Sequence, residues 1–191
     1  MKLILASGSE RRQELLKRIT EHFHIIISNF DENSICFNGV CEEYVMDISI
    51  GKALNVRKYC SEDSVIIASD TVVFFENRVL GKPGNRETAI EMLSLLSGKV
   101  HQVYTGLVLL HTRTGRILKD YVKTDVEFSE LDKNDIINYV ETGEPMDKAG
   151  AYGIQGFGGV FVKQIHGCYY NVMGLPLNKL KDMLREMGVN L

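Results

Sequence analysis

The sequence predicts an α/β protein built around a mixed β-sheet. Short apolar runs that are typical of strands are repeatedly interrupted by stretches that carry apolar residues at helical spacing. Two longer runs, Val103–Leu110 and Ile117–Glu127, follow one another closely and are expected to pair as a hairpin. A hairpin within a mixed order of strands and helices favours a mixed sheet over a regularly alternating, parallel one.

Each predicted element has a sequence signal for its extent. The strands are strand-like runs, and the last three helices open at a capping residue or a proline and close near a glycine. The predicted strands are Lys2–Leu5, His24–Ile27, Ser64–Ser69, Thr71–Phe75, Val100–Leu110, Ile117–Glu127 and Gly159–Ile165. The predicted helices start after Ser9, near Glu43, near Asn85, at Asp132 and at Pro176, and they extend to Ile19, Tyr59, Gly98, Gly143 and Gly188.

Size and composition indicate one domain, residues 1–191, that can bury a substantial core. Hydrophobic residues make up 45% of the chain and charged residues 25%, which is ordinary for a globular protein. A net charge of -3 argues against a dedicated nucleic-acid-binding protein, which usually carries a basic face. No apolar run approaches the ~20 residues of a membrane helix, and Leu3–Ala6 is too short for a signal peptide. We therefore expect a cytoplasmic protein.

The four cysteines are predicted to be reduced thiols. Cys36, Cys41, Cys60 and Cys168 contain no C-x-x-C pair and no spacing that is typical of a metal site. A chain without a secretion signal is expected in a reducing compartment, where disulfides are rare. The sequence therefore predicts neither a zinc site nor a structural disulfide.

Two adjacent arginines stand where a helix normally disfavours positive charge. Ser7-Gly8-Ser9 turns the chain after the first strand, so Arg11 and Arg12 fall in the first turn of the following helix. The positive end of the helix dipole disfavours a cation there by ~0.3–1 kcal/mol. The arrangement is favourable if an anion lies against the helix amides, the two hydroxyls and the guanidinium groups. A phosphate site is therefore the preferred interpretation, and two solvated arginines are the alternative.

Asp70 is a second unusual charge, because it interrupts a nearly continuous apolar run from Val65 to Phe75. An ionised carboxylate in such surroundings is costly unless it is paired or bound to metal. The functional interpretation is a metal ligand or general base. The alternative is a residue that caps a turn between two strands.

Further charged residues extend this hypothesis. Asp31-Glu32 follows the second predicted strand and, combined with Asp70, would supply the oxygen ligands that Mg²⁺ requires. Lys52 and Lys82 would add positive charge to the same site. Taken separately, an acidic loop pair and two lysines are ordinary solvated surface residues.

The segment Glu144–Gly156 combines an acid, a base, an amide and several glycines within a short stretch. Glycine allows close approach of a ligand to the backbone, and Gln155 offers both a donor and an acceptor, which suits the edge of a nucleobase. We interpret the segment as a binding loop, with a structural glycine loop as the alternative. The glycines that follow precede a strand-like run, Val160-Phe161-Val162, so they do not form a dinucleotide-binding fingerprint.

Motifs of one known family follow one another in order along nearly the whole chain. They are Leu5-Ala6-Ser7-x-Ser9-x-Arg11-Arg12, Asp31-Glu32, Lys52-Ala53, Ser69-Asp70-Thr71, Gly81-Lys82-Pro83, Leu96-Ser97-Gly98-x-x-His101-x-Val103-x-Thr105-Gly106, Glu144–Gly156 and Asn171-Val172-x-Gly174-Leu175-Pro176. Together they resemble the Maf family of nucleoside triphosphate pyrophosphatases, which is related in fold to inosine triphosphate pyrophosphatases. The resemblance implies an elongated mixed β-sheet flanked by helices, with two lobes and a central cleft.

The resemblance also implies an activity, the hydrolysis of a nucleoside triphosphate to its monophosphate and pyrophosphate in a house-cleaning role. It implies a divalent cation, Mg²⁺ or Mn²⁺, held by Glu32 and Asp70. Asp70 is expected to accept the proton of the attacking water, and Glu32 is the reserve candidate for this base. The expected phosphate-binding residues are Ser7, Ser9, Arg11, Arg12, Lys52 and Lys82.

Within the family, Asp-Thr followed later by Gly-Ile-Gln-Gly is similar to the branch that acts on dTTP and UTP. Thr71 and Gln155 match this branch, and the resemblance assigns the selection of the pyrimidine base to them together with Arg12. Two residues depart from the family pattern, Glu10, where members commonly carry proline, and Gly51. Glycine within a helix costs ~1 kcal/mol relative to alanine.

The predicted partner is the nucleotide substrate, with no nucleic acid and no membrane, and a homodimer is left open. The family is also associated with inhibition of septum formation, so the alternative function is that of a nucleotide-binding regulatory protein. An enzyme turns its nucleotide over with metal dependence. A regulator binds the nucleotide and leaves it intact.

Overall fold

A computed structural model describes residues 1–61 and 63–191 and contains a mixed sheet. Its strands are β1 (Lys2–Leu5), β2 (His24–Ile25), β3 (Ser64–Phe75), β4 (Arg78–Leu80), β5 (Val100–His111), β6 (Ile117–Phe128) and β7 (Val162–His166). In the described part of the chain these seven strands lie in the order β2-β1-β3-β5-β6-β7, with β4 paired to β3. β1 is parallel to β2 and β3, whereas the β3–β4 and β6–β7 pairs are antiparallel. The predicted mixed sheet is therefore confirmed.

Five helices in the described part of the chain begin within about two residues of their predicted starts, and a further one, Tyr169–Val172, was not predicted. The helices are α1 (Glu10–Lys17), α2 (Cys41–Arg57), α3 (Arg86–Leu96), α4 (Lys133–Glu141), α5 (Tyr169–Val172) and α6 (Leu177–Glu186). The side chains of Ser9, Asn85 and Asp132 accept hydrogen bonds from backbone amides in the first turns of α1, α3 and α4. These contacts satisfy amides that have no partner within the helix. Among the described residues, no helix is both long and apolar enough to cross a bilayer.

The predicted hairpin is confirmed, because β5 and β6 are neighbours in the sheet. The amide of His111 donates to the carbonyl of Arg116 at 2.9 Å, which closes the short connection between the two strands. Two strand boundaries differ from the prediction by more than one residue, and β4 was not predicted. β2 ends at Ile25, and β7 begins at Val162 because Phe157–Phe161 forms a 3₁₀ helix.

β3 corrects a further prediction, since Ser64–Phe75 is one continuous strand rather than two strands joined by a turn. Asp70 lies within this strand and is buried, so the alternative that it caps a turn is wrong. The residues on both sides of it are also largely buried, as expected for a strand covered on both faces.

The described residues form two compact units, and the first contains Met1–Asp70, Thr105–Val122 and Gly174–Leu191. Side chains from β1 and the residue after it, α2, β3 and β5 form one apolar cluster in this unit, which packs α2 against these strands. Its buried members are Ile4, Ala6, Ala53, Val56, Ile66, Ala68, Val108 and Leu110.

The second unit contains Thr71–Tyr104 and Lys123–Met173 and has an aromatic core. The rings of Phe128 and Tyr152 meet edge to face with centroids 4.8 Å apart, and Tyr139 and Phe161 do so at 5.1 Å. His101 is buried among them, and its Nε2 lies 2.8 Å from the hydroxyl oxygen of Tyr152. Edge-to-face pairs are favourable beyond the area that they bury, so this core holds α4 and the following loops firmly.

Candidate active site

The first turn of α1 is organised by two serine hydroxyls. Ser9 Oγ accepts from the amide of Arg12 at 3.5 Å, and Ser7 Oγ accepts from the amide of Ser9 at 3.2 Å. Arg11 and Arg12 are the second and third residues of α1, which confirms that both lie in its first turn. Each serine accepts a backbone hydrogen bond and retains its own O–H as a donor. The turn can therefore present hydroxyl and amide donors to an anion.

Arg12 is held by a backbone carbonyl from a distant part of the sequence. Its Nε donates to the carbonyl of Gly174 at 2.8 Å, and Ser69 Oγ donates to the same oxygen at 2.9 Å. Burial lowers the pKa of Arg12, and the negative charges of Asp70 and Glu32 oppose that effect. The guanidinium group is thus anchored within electrostatic reach of both carboxylates. Arg12 is partly buried and anchored to a backbone carbonyl, which argues against the alternative of a solvated arginine at this position.

Glu32, Lys52 and Asp70 meet at one point in the first unit. Lys52 Nζ lies 2.6 Å from Asp70 Oδ1 and 2.8 Å from Glu32 Oε1. Lys52 and Asp70 are buried, whereas the Glu32 side chain is about half exposed. Removing one partner from a buried ion pair costs about 3–5 kcal/mol, because the other charge is left without compensation. The two predicted metal ligands are therefore brought together, and Lys52 is the cation between them.

Glu32 reaches this point through a short 3₁₀ turn, Glu32–Ser34. Asp31 caps the turn, because its Oδ1 accepts from the amide of Asn33 at 3.1 Å. The two members of the acidic pair thus have different uses. Asp31 holds the backbone, and Glu32 contacts Lys52.

Tyr44 is a residue near these carboxylates that the sequence analysis missed. It lies two helical turns before Lys52 on the same face of α2, and its ring meets Phe37 edge to face at 5.5 Å. Burial raises the pKa of Tyr44, and Asp70 and then Glu32 raise it further. The phenol therefore lies within electrostatic reach of both carboxylates. Its position eight residues before Lys52, and so on the same face of the helix, is the sequence signal that could have identified it.

The paired carboxylates fit a hard divalent cation, since both already converge on one positive charge. Mg²⁺ is commonly held by one or two carboxylates, with water and substrate phosphates completing its coordination. No cluster of three or more metal-ligating side chains occurs among residues 1–61 and 63–191. Glu32 and Asp70 are thus sufficient for a shared metal of this kind but not for a structural, all-protein metal cage.

The remaining predicted site residues belong to the second unit. Thr71 follows Asp70 in β3 and is half-buried, and Lys82 is exposed in the loop after β4. The carbonyl of Gly81, beside Lys82, accepts from the amide of Gly150 at 3.1 Å, which joins this loop to the Glu144–Gly156 segment. Gln155 is exposed at the tip of that segment.

The fold is shared with a known class of structures. The chain is similar to the solved structure of the Staphylococcus aureus Ham1 protein, with a TM-score of 0.52 and 16% identity over 98% of this chain and 100% of that one. The model of the Maf-like protein family matches residues 2–187. The chain belongs to the Maf-like protein family.

Curated relatives are similar over their full length. A dTTP/UTP pyrophosphatase of Clostridium tetani is 59% identical over 192 residues, covering 100% of both chains. A dTTP/UTP pyrophosphatase of Clostridium kluyveri is 54% identical, again covering 100% of both. These relatives carry the name of the branch that Thr71 and Gln155 indicated.

Proposed function

We propose that this protein hydrolyses dTTP and UTP to the nucleoside monophosphate and pyrophosphate. The observation that carries the proposal is the convergence of Glu32 and Asp70 on one cation, within electrostatic reach of Arg12. Full-length relatives named dTTP/UTP pyrophosphatase support the same reaction. Since its substrates are common nucleotides, we place the reaction in the cytoplasm, as part of the control of the nucleotide pool.

The triphosphate is bound at the start of α1. The positive end of the helix dipole, the hydroxyls of Ser7 and Ser9 and the guanidinium groups of Arg11 and Arg12 together favour an anion of high charge. Arg12 is preorganised for this task, because the Gly174 carbonyl already fixes its Nε. Fixing a donor before substrate arrives reduces the entropy that binding must overcome.

The chemical step is an attack of water on the α-phosphorus. The bond from this phosphorus to the oxygen that bridges it to the β-phosphorus breaks, and pyrophosphate leaves with that oxygen. Asp70 accepts the proton of the attacking water, with the more exposed Glu32 as the reserve candidate for this base. Lys52 neutralises charge that develops on the leaving group, for which its ammonium must exchange a carboxylate for a phosphate.

Glu32 and Asp70 would also hold the divalent cation, Mg²⁺ or Mn²⁺. Since one carboxylate does not readily bind a metal and accept a proton in the same step, the carboxylate that acts as the base would leave the metal to the other. Such a cation supplies positive charge that stabilises the charge on the phosphate oxygens during the reaction. The carboxylates that would hold it lie within electrostatic reach of Arg12. Lys82 is proposed as a further phosphate contact.

The choice of base is assigned to Thr71, Gln155 and Arg12. An amide such as that of Gln155 can pair with both a donor and an acceptor on a pyrimidine edge. Hydrogen bonds of this kind discriminate strongly, because the wrong base leaves buried polar groups unpaired.

The test is chromatography of the products after incubation with dTTP, UTP, CTP, dGTP, ITP and 7-methyl-GTP, each with Mg²⁺ or Mn²⁺ and with a chelator. The expected products are dTMP and UMP with pyrophosphate, and only when the metal is present. Turnover of 7-methyl-GTP alone would retain the reaction and contradict the assignment of Thr71 and Gln155. Tight binding with every nucleotide intact would overturn the proposal in favour of the regulatory alternative.

A further inference from the structure

The turn that carries Gln155 is hydrogen-bonded at one end to Tyr139 and at the other to Glu144, and these two side chains are hydrogen-bonded to each other. The amide of Gly156 donates to the carbonyl of Gly153 at 3.2 Å, which makes Ile154 and Gln155 the two central residues of a β-turn. Before this turn, the amide of Gly153 donates to the hydroxyl of Tyr139 at 3.1 Å. After it, the amide of Phe157 donates to Glu144 Oε2 at 2.8 Å.

The side chains of Glu144 and Tyr139 together form a clamp on this turn. Glu144 Oε1 accepts from the Tyr139 hydroxyl at 2.8 Å and from the amide of Gly158 at 3.3 Å. Its own backbone is held in turn, because Lys148 Nζ donates to the Glu144 carbonyl at 2.7 Å. A carboxylate is suited to this role, since it offers two oxygens that accept several donors at once. The phenol of Tyr139 adds one acceptor for the amide that the carboxylate does not contact.

Three glycines, Gly153, Gly156 and Gly158, are explained by their packing on these side chains rather than by an external ligand. A Cβ atom at Gly156 would collide with the carboxyl group of Glu144, and one at Gly158 would lie 2.6 Å from the Tyr139 hydroxyl oxygen. At Gly153, a Cβ would lie 2.7 Å from Lys148 Cε and 3.0 Å from Glu144 Oε1. The backbone therefore needs glycine at these positions to reach the two side chains.

We propose that Glu144 is a positioning residue that sets base selectivity by holding the turn of Gln155; this inference rests on the proposed function. Gln155 itself is exposed, so packing contributes little to its orientation. The hydrogen bonds of Glu144 and Tyr139 fix the backbone on both sides of it. A displacement of about 1 Å in a recognition group can cost ~10²-fold in rate. Selectivity is thus expected to depend on Glu144 although Glu144 is not assigned a contact with the base.

The test compares Glu144→Gln with Glu141→Gln, a matched change at an exposed glutamate of α4 that pairs with Arg86. The glutamine amide offers one acceptor oxygen in place of two, so one loop amide would face an NH₂ group. We expect kcat/KM for dTTP and UTP to fall about tenfold or more relative to that for ITP and dGTP. We also expect faster hydrogen exchange at the amides of Phe157 and Gly158. Glu141→Gln should leave both quantities unchanged.

A second variant guards against a folding defect. Tyr139→Phe retains the ring that packs on Phe161 and removes the hydroxyl that links Gly153 to Glu144. It should change selectivity in the same direction and speed exchange at Gly153. Unchanged selectivity in both folded variants would overturn the positioning role of Glu144, even where their amide exchange is faster. A wild-type protein that turns over no nucleotide would instead contradict the proposed function, and the exchange measurement would still report whether the clamp exists.

Discussion

The ring of Phe30 occupies the space in which a Cβ atom at Gly51 of α2 would lie. A Cβ atom at Gly51 would lie 2.5 Å from Cε1 and 2.6 Å from Cε2 of Phe30. Phe30 directly precedes Asp31 and Glu32, so its packing on α2 places the turn that carries Glu32 beside Lys52. The glycine that is unfavourable for the helix is therefore required by this contact.

Gly51→Ala is expected to destabilise the protein, although the same change usually stabilises a helix by about 1 kcal/mol. Inserting a methyl group against a packed ring costs about 1–3 kcal/mol, which exceeds the gain in helix propensity over most of that range. Urea unfolding measures the free energy in the wild-type and Phe30→Ala backgrounds. With the ring removed, Gly51→Ala should recover its stabilising sign. The same sign in both backgrounds would show that Phe30 is not the reason for the glycine.

Asp70→Asn is expected to reduce turnover of dTTP by about 10³-fold or more, because the amide can neither accept the water proton nor hold a metal as a carboxylate does. The fold should be retained, since the amide still offers an oxygen to Lys52. Product chromatography and circular dichroism measure the two properties. Asp120→Asn is the matched control, because Asp120 pairs with Lys179 at 2.8 Å in the same unit. Near-normal activity in Asp70→Asn would remove Asp70 from the chemical step.

Lys52→Gln is expected to make the stability of the protein depend on divalent metal. The change removes the ammonium between Glu32 and Asp70 and leaves a buried carboxylate uncompensated, at a cost of about 3–5 kcal/mol. A cation that binds the folded state restores stability by mass action. Mg²⁺ should therefore raise the Tm of this variant more than that of the wild type. Lys179→Gln serves as the control. An equal rise in Tm with Mg²⁺ for Lys52→Gln and the wild type would contradict the proposal that the two carboxylates hold a metal.

The buried side chain of His101 is expected to make the stability of the protein fall at low pH. Burial lowers the pKa of His101 from 6.5 to about 4, so the folded protein holds it neutral where the unfolded chain would protonate it. The free energy of unfolding is therefore unaffected by protonation of His101 above about pH 6.5, and it falls by about 3 kcal/mol in total as the pH drops towards 4. The difference between the unfolding curves of the wild type and His101→Gln, measured from pH 4 to 7, isolates this contribution. His166→Gln, at an exposed histidine, should leave the slope unchanged.

Local features of the fold could be predicted because their causes lie within a few residues. Asn85 and Asp132 accept from amides three and two residues further on, and both mark the start of a helix as expected. The end of β2 and the start of β7 could not be predicted in the same way. Apolar runs extend past both boundaries, and pairing with a neighbouring strand, not composition, decides where a strand ends.

The candidate site could be predicted only in part from local sequence patterns. An acid inside an apolar run identified Asp70 as unusual, because a buried charge requires compensation wherever it lies. Lys52 was expected to add positive charge to the same site, but its direct ion pair with Asp70 could not be deduced from the pattern, since α2 and β3 meet only after the chain has folded. The same holds for the Gly174 carbonyl, which is 162 residues from Arg12 and 105 from Ser69.

The sequence by itself determined the mixed α/β class, the starts of five helices and the identity of the charged residues that needed an explanation. Helix caps, turns and strand propensity act over a few residues, so the sequence displays them directly. The tertiary structure decided which charge meets which, that Phe30 occupies the space beside Gly51, and that Glu144 and Tyr139 hold the turn of Gln155. These contacts join residues on different elements, and their geometry depends on how whole elements pack rather than on local preference.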